Sequence, residues 1–221
     1  MADHPMTNTL PTEWFAKADP EPDARFYADA RFVQHIDDGA VAAVTAAIAR
    51  HVSPSSDVLD LMSSWVSHLP PRDALPLGRV SGLGMNAAEL ARNPCLDDWT
   101  VHDLNADPTL PYTGASFDAV LITVSVQYLT RPVEVMAEIA RVLQPGGVLL
   151  ISFSNRMFPA KAVAIWQAAS AEERPRIVAA YLRAAGGFGE PTVDEHRPPR
   201  SLLGGGDPLW VVVARRSEGD S

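Results

Sequence analysis

The chain has 221 residues, 47% of them apolar, a formal net charge of −9, one cysteine (Cys95) and only two lysines (Lys17 and Lys161). That length suits a single compact core, and one cysteine permits no intrachain disulfide, which fits a reducing compartment. An acidic chain without a Lys/Arg cluster points away from nucleic acid, and no apolar run approaches the ~20 residues of a membrane span. The opening MADHPMTNTLPTEW lacks the basic start and apolar block of a secretory signal. Small-molecule chemistry in the cytoplasm is the expectation.

In chain order, residues 1–22 are polar and proline-bearing and are expected to lie loosely over the surface. Phe26 to His35 reads as a helix. Asp37-Asp38-Gly39 offers a cap for a second helix with Val41, Val44 and Ile48 on one stripe. Asp57 to Leu61 is a short apolar strand, followed by a loop cut by Pro70, Pro71 and Pro76. Arg79 to Leu83 is the next strand. Asn86 can cap a short helix, with Glu89 three residues on in the capping-box position. Trp99 to Val101 begins a third strand.

The stretch from Phe117 to Gly147 carries the most information. Ala119 to Val124 is a β-branched apolar run and reads as a buried strand. A helix follows, with Pro132 in its first turn, Glu134 near its positive end, and Val135, Ile139, Val142 and Leu143 on one face. Pro145-Gly146-Gly147 ends it and leads into a strand from Val148 to Phe153. Lys161 to Ala169 and Glu173 to Ala185 read as helices. Phe188 to Glu195 and Leu209 to Ala214 read as a closing hairpin turned at Gly204-Gly205-Gly206.

Strands alternating with helices imply an α/β fold with a doubly wound, mostly parallel seven-stranded sheet and an antiparallel closing strand. One domain over 1–221 is expected, with N-terminal helices in 23–56 and the α/β core in 57–214. Ligands of such sheets bind beyond the carboxyl ends of the strands, at the switch point. Here those ends are Met62 to Trp65, Gly84 to Asn86, His102 to Asn105 and Thr123 to Val126.

The order Phe117-Asp118-Ala119-Val120, Tyr128-Leu129, helix, Leu143-Gln144-Pro145-Gly146-Gly147 resembles the late half of class I S-adenosylmethionine (SAM) dependent methyltransferases, a Rossmann-like fold. The resemblance covers roughly residues 57–153 well. It implies SAM as cofactor, with Asp60 at the acidic end of the first strand and His102-Asp103-Leu104 matching the segment that holds adenine. Met62, Ser64 and Val66 stand where the family has glycines, and Gly84 follows the second strand where the family has a ribose-binding carboxylate. The implied cofactor residues are Asp60, Met62, Ser63, Ser64, Gly84, Met85, Asn86, Asp103, Leu104, Thr123 and Ser125. Ser63 and Ser64 are candidates for the SAM carboxylate, and Asn86 for a ribose hydroxyl. Each lost charge-assisted contact would weaken SAM by roughly ten- to a hundredfold. Restoring a carboxylate with Gly84→Asp is expected to tighten it.

Tyr27, Tyr128, Asn155 and Arg156 are candidates to meet the substrate. Plainer roles stand beside these. Asp60 can cap backbone amides, Met62 and Trp65 can pack, Asp37-Asp38 can serve only as a helix cap, and Arg156 can tie down its own loop. The six scattered histidines show no metal spacing, and neither a serine-hydrolase elbow nor a phosphate loop appears. Two functions remain open: methyl transfer from SAM to a small molecule, or a methyltransferase-fold module that binds or regulates without catalysis.

Overall fold

The computed structural model describes residues 10–198 and 206–219. Seven strands form one sheet: β1 Val58–Leu61, β2 Val80–Gly84, β3 Asp98–Val101, β4 Phe117–Thr123, β5 Leu143–Ser154, β6 Thr192–His196 and β7 Leu209–Arg215. Their spatial order is β3-β2-β1-β4-β5-β7-β6. β1 to β5 run parallel, while β7 is antiparallel to both β5 and β6. Successive strands step outward from β1 in both directions, so the loops leaving β1 and β4 diverge and open a crevice between them.

The expected alternation divides the core by face. Leu59, Leu61, Val120, Ile122, Leu149, Ile151 and Phe153 point to one face. There α4 (Pro132–Val142) and α6 (Arg174–Ala185) cover them. Val58, Val80, Ala119, Leu121, Leu150 and Val211 point to the other, beneath α2 (Asp38–His51). Every residue of β1 and β2 is buried, as a parallel strand covered on both faces requires. Asp37 caps α2 by accepting from the Ala40 N–H at 2.8 Å. It also receives the Asp207 N–H, while its own N–H reaches the Asp207 carboxylate. Asp37 therefore ties the helix start to the strand before β7, which exceeds the cap role expected of it.

Three segments depart from the sequence reading. Helix α1 spans only Asp23–Phe26, and the chain to His35 is not helical. Its backbone groups find partners far away in sequence: Asn86 donates to the Tyr27 and Ala28 carbonyls, and the Arg31 N–H donates to Glu89. Those long-range bonds replace the helical ladder. In the stretch from Lys161 to Ala169, only Ala164–Ala168 (α5) is helical. Val163 instead bridges Lys17 and donates to the Gln127 carbonyl. Finally, residues 10–22 are not loose. Ala164 donates to the Ala16 carbonyl and Asp19 to the Ala160 carbonyl, at 2.8 and 2.9 Å. The first strand of the closing hairpin, β6, begins at Thr192 and not at Phe188, because Pro191 has no N–H to pair. Gly204 and Gly205 of its expected turn lie outside the described residues.

Candidate functional site

The loops leaving β1 to β4, the segment Asp23 to His35 and residues Arg156 to Phe158 enclose a cavity of about 370 Å³. Each loop reaches it because parallel strands carry their carboxyl ends to the same edge. Asp60, Met62, Ser63 and Ser64 arrive from β1; Gly84, Met85 and Asn86 from β2. Asp103 and Leu104 come from β3, and Thr123 and Ser125 from β4. Tyr27, Tyr128 and Arg156 also stand on the wall, whereas Asn155 is exposed and away from it.

At the end of β3, the Asp103 carboxylate folds back on its own turn. One oxygen, Oδ1, accepts from the Asn105 and Ala106 N–H groups at 2.9 and 3.3 Å. Its Oδ2 has no hydrogen-bond partner among the described residues. The His102 ring contacts the Asp107 carbonyl at 2.7 Å, so this imidazole braces the same loop.

The loop after β1 is built differently. Asp60 is 4% exposed, and its Oδ2 accepts from the hydroxyls of Ser63 and Ser67. Asn93 in turn donates to Ser67 Oγ and to the Ser64 carbonyl. Burial pushes the Asp60 carboxyl up to about 6, against the two hydroxyls that hold it down. Met62 has φ 60°, the left-handed region that ordinarily favours glycine. Thus the backbone bends there as a glycine would, although the residue is methionine. Met62 also packs against the core while lining the cavity, and Trp65 lines it with its indole N–H on the Val33 carbonyl.

Gly84 has a structural reason to lack a side chain. The Ser63 N–H donates to the Leu83 carbonyl at 2.8 Å, which lays the β1 loop over the end of β2. A Cβ at Gly84 would overlap the Ser63 carbonyl oxygen. The expectation that Gly84→Asp restores a ribose contact is therefore overturned. So is the role suggested for Asn86. Its Oδ1 accepts from Ala88 and Glu89 N–H as the cap of α3 (Ala87–Leu90), and its amide holds the Tyr27 and Ala28 carbonyls. Nor is Ser64 free for a carboxylate, because its hydroxyl donates to Glu89. The Tyr128 hydroxyl accepts from the Phe158 N–H at 2.9 Å, and Arg156 pairs with Asp207 at 2.8 Å. Both side chains organise the cavity's rim.

Several wall residues escaped the sequence reading. Glu89 is 8% exposed and closes no capping box; its two oxygens hold the Arg31 N–H and Ser64 Oγ. Both lysines of the chain converge on Asp23, itself on the wall. That cluster clamps the N-terminal segment over the site, with Asn105 donating to the same carboxylate. His35 and His68 also line the cavity, and burial holds both imidazoles below the usual range. Among the described residues, no group of three or more His, Cys, Asp or Glu could hold a metal ion, and no helix is long and apolar enough to cross a membrane.

Residues 78–151 match the family described as a methyltransferase domain. No curated protein matches the sequence. Solved structures share the fold. A SAM-dependent methyltransferase from Mesorhizobium loti is 19% identical, with 81% of this chain and 99% of that one covered and a TM-score of 0.55. The cyclase SpnF is 14% identical over 86% of this chain and 89% of its own, with a TM-score of 0.59. Phosphoethanolamine N-methyltransferase 2 of Haemonchus contortus, solved with SAM, is 13% identical over 79% of this chain and 52% of its own, with a TM-score of 0.54.

Proposed function

We propose that this chain is a class I SAM-dependent methyltransferase that binds SAM in the cavity at Asp103 and directs its methyl group to a small molecule. The observation that carries the reading is the convergence of Asp103 with the carboxyl ends of β1, β2 and β4 on one cavity. The residues present fit the adenosine end. Asp103 Oδ2 is available to an amino group, and Ser125 Oγ is buried without a partner. The ribose end has no carboxylate after β2, so affinity there rests on other contacts.

When bound, SAM supplies a methyl group activated on a sulfonium. The chain's task is then alignment and exclusion of water. The clamped segment Asp23 to His35 roofs the cavity, and Met62, Leu83 and Val124 give it apolar walls. An acceptor that loses a proton can pass it to His35 or His68, since burial lowers the pKa of both imidazoles and favours the neutral, proton-accepting form. A charge of −9 without a basic cluster favours a small-molecule acceptor over nucleic acid.

A binding or regulatory module without catalysis is the second reading. The Ser63 carbonyl over Gly84 and the fully engaged Asn86 favour it, because both remove ribose contacts. The cyclase with this fold is a reminder that the scaffold does not fix the chemistry. Calorimetric titration with SAM and with its demethylated product separates the two. Micromolar binding of either supports methyl transfer; no heat from a folded protein removes that reading and leaves the module.

A further inference from the structure

We infer that Arg31 is the receptor for a carboxylate on the methyl acceptor, and that the acceptor is a flat aromatic acid. The inference rests on the methyl-transfer reading and concerns the part of the cavity that SAM leaves for its partner.

Two arginines stand on the cavity wall. Arg156 is neutralised by Asp207. Arg31 has no ion-pair partner and no side-chain hydrogen bond among the described residues; its Nη1 is shut off from solvent, while Nε and Nη2 keep accessible surface. A ligand can therefore meet the guanidinium only along its Nε–Nη2 edge, and rings alone do not satisfy those N–H groups. Phe26 backs the guanidinium, its ring centroid 4.2 Å from Cζ. Tyr27 and Phe158 lie 5.9 Å away. Meanwhile the Arg31 main chain is fixed, since its N–H donates to Glu89 at 2.7 Å. The cation is therefore held at a set place on the wall with its charge unanswered.

A planar guanidinium recognises a carboxylate through two parallel N–H···O bonds. The surrounding rings decide the rest of the ligand. Tyr27, Tyr128, His35 and Phe158 line the same wall, and Phe158 lies edge-on to Phe26 and to His35 at 5.3 Å. Such faces and edges suit a flat apolar body. A dianion is disfavoured, because Asp23, Glu89 and Asp103 share the cavity with this one unpaired cation.

Benzoate and its neutral isostere benzamide serve as probes of the full-length protein, with binding followed by NMR. Benzoate should bind at least tenfold more tightly than benzamide. Arg31→Gln should remove that preference, and Arg31→Lys should restore part of it. SAM affinity should stay within about threefold in both variants. Equal binding of the two probes to the parent protein overturns the inference, as does absence of benzoate binding at millimolar concentration; neither comparison needs a stable variant. A tenfold loss of SAM affinity in Arg31→Gln, with benzoate unaffected, also overturns it, because the arginine then holds the carboxylate of SAM. If the parent binds benzoate but not SAM, the methyl-transfer reading fails on its own.

Discussion

Asp60 and Asp103 stand at the carboxyl ends of β1 and β3, two parallel strands separated by β2, on the same cavity, yet they use their carboxylates in opposite directions. Asp103 braces its turn with one oxygen and leaves the other without a described partner. Asp60 turns inward, gathering the hydroxyls of Ser63 and Ser67 and through them the side chain of Asn93. The first is half-buried with one oxygen left over, and the second is the keystone of a loop. A residue's type and its place at a strand end thus do not settle its role; the local supply of donors does. In this loop Ser63 and Ser64, the second at a position where the resembling family has glycine, supply hydroxyls, and the loop closes on itself and on Glu89.

The sharpest way to break this contrast is Gly84→Asp. If the β1 loop is pinned across β2, a side chain at Gly84 pushes against the Ser63 backbone, which cannot rotate away. Overpacking costs roughly 1–3 kcal/mol when side chains can yield, and more when they cannot. We expect a loss above about 3 kcal/mol in urea denaturation, with no gain in SAM affinity. A stable Gly84→Asp protein that binds SAM more tightly would show that the loop lifts away.

Asp60→Asn tests the keystone by pH. Burial raises the Asp60 pKa from 3.8 to about 6, so the native state holds its proton more tightly than the unfolded chain. The stability from this group is complete below about 3.8 and is lost as pH rises through about 6. Above that range the buried charge costs on the order of 3 kcal/mol. Asparagine can accept from both serines and has no charge to bury. Relative to the parent, Asp60→Asn should therefore gain stability as pH rises from about 4 to about 7. Subtracting the two profiles removes the carboxylates common to both proteins, such as Asp37 and Asp97, whose lowered pKa values act with the opposite sign. A flat difference across that window contradicts an inward, desolvated Asp60.

This pair also marks where sequence reading succeeds and stops. The β4-α4-β5 unit was legible because its signals are local, a β-branched strand and Pro132 in the first turn, although Leu143, expected on the helix, already opens β5, and Pro145-Gly146-Gly147 form that strand's irregular start and not a turn before it. The switch-point rule then placed every expected cofactor position on the cavity wall. What stayed hidden depends on distant partners. Arg31 meets Glu89 across 58 residues, and Lys161 reaches Asp23 from the far end of the core. Glu89 looked like a helix cap because capping is a local pattern, while its real partners come from two other segments. Gly84 looked like a missing carboxylate, since nothing in the sequence tells which loop crosses it.

Asp103→Ala probes the half-buried member of the pair. Removing a carboxylate that receives a ligand N–H should weaken SAM by about 1.5–3 kcal/mol, or roughly ten- to a hundredfold. Stability should fall less, because only one oxygen braces the turn. Calorimetry with SAM and with adenosine checks this: both ligands should lose affinity by the same factor. A loss confined to SAM would move Asp103 away from the adenine end.

The smallest expected effect concerns Met62, whose left-handed backbone lets the β1 loop begin its turn. At an ordinary position alanine is more stable than glycine, because glycine has more backbone freedom to lose on folding. At φ 60° the order should reverse, since a Cβ in this region costs roughly 1–2 kcal/mol. Met62→Gly and Met62→Ala both remove the same partly buried side chain from the core edge. Their shared packing loss cancels in the comparison, so their difference isolates the backbone. We expect Met62→Gly to be the more stable of the two by about 1 kcal/mol, the strain relief exceeding the lost entropy. Urea denaturation at pH 7 measures it. If Met62→Ala is the more stable, the loop does not hold Met62 in the left-handed region, and the inward turn of Asp60 loses its backbone support.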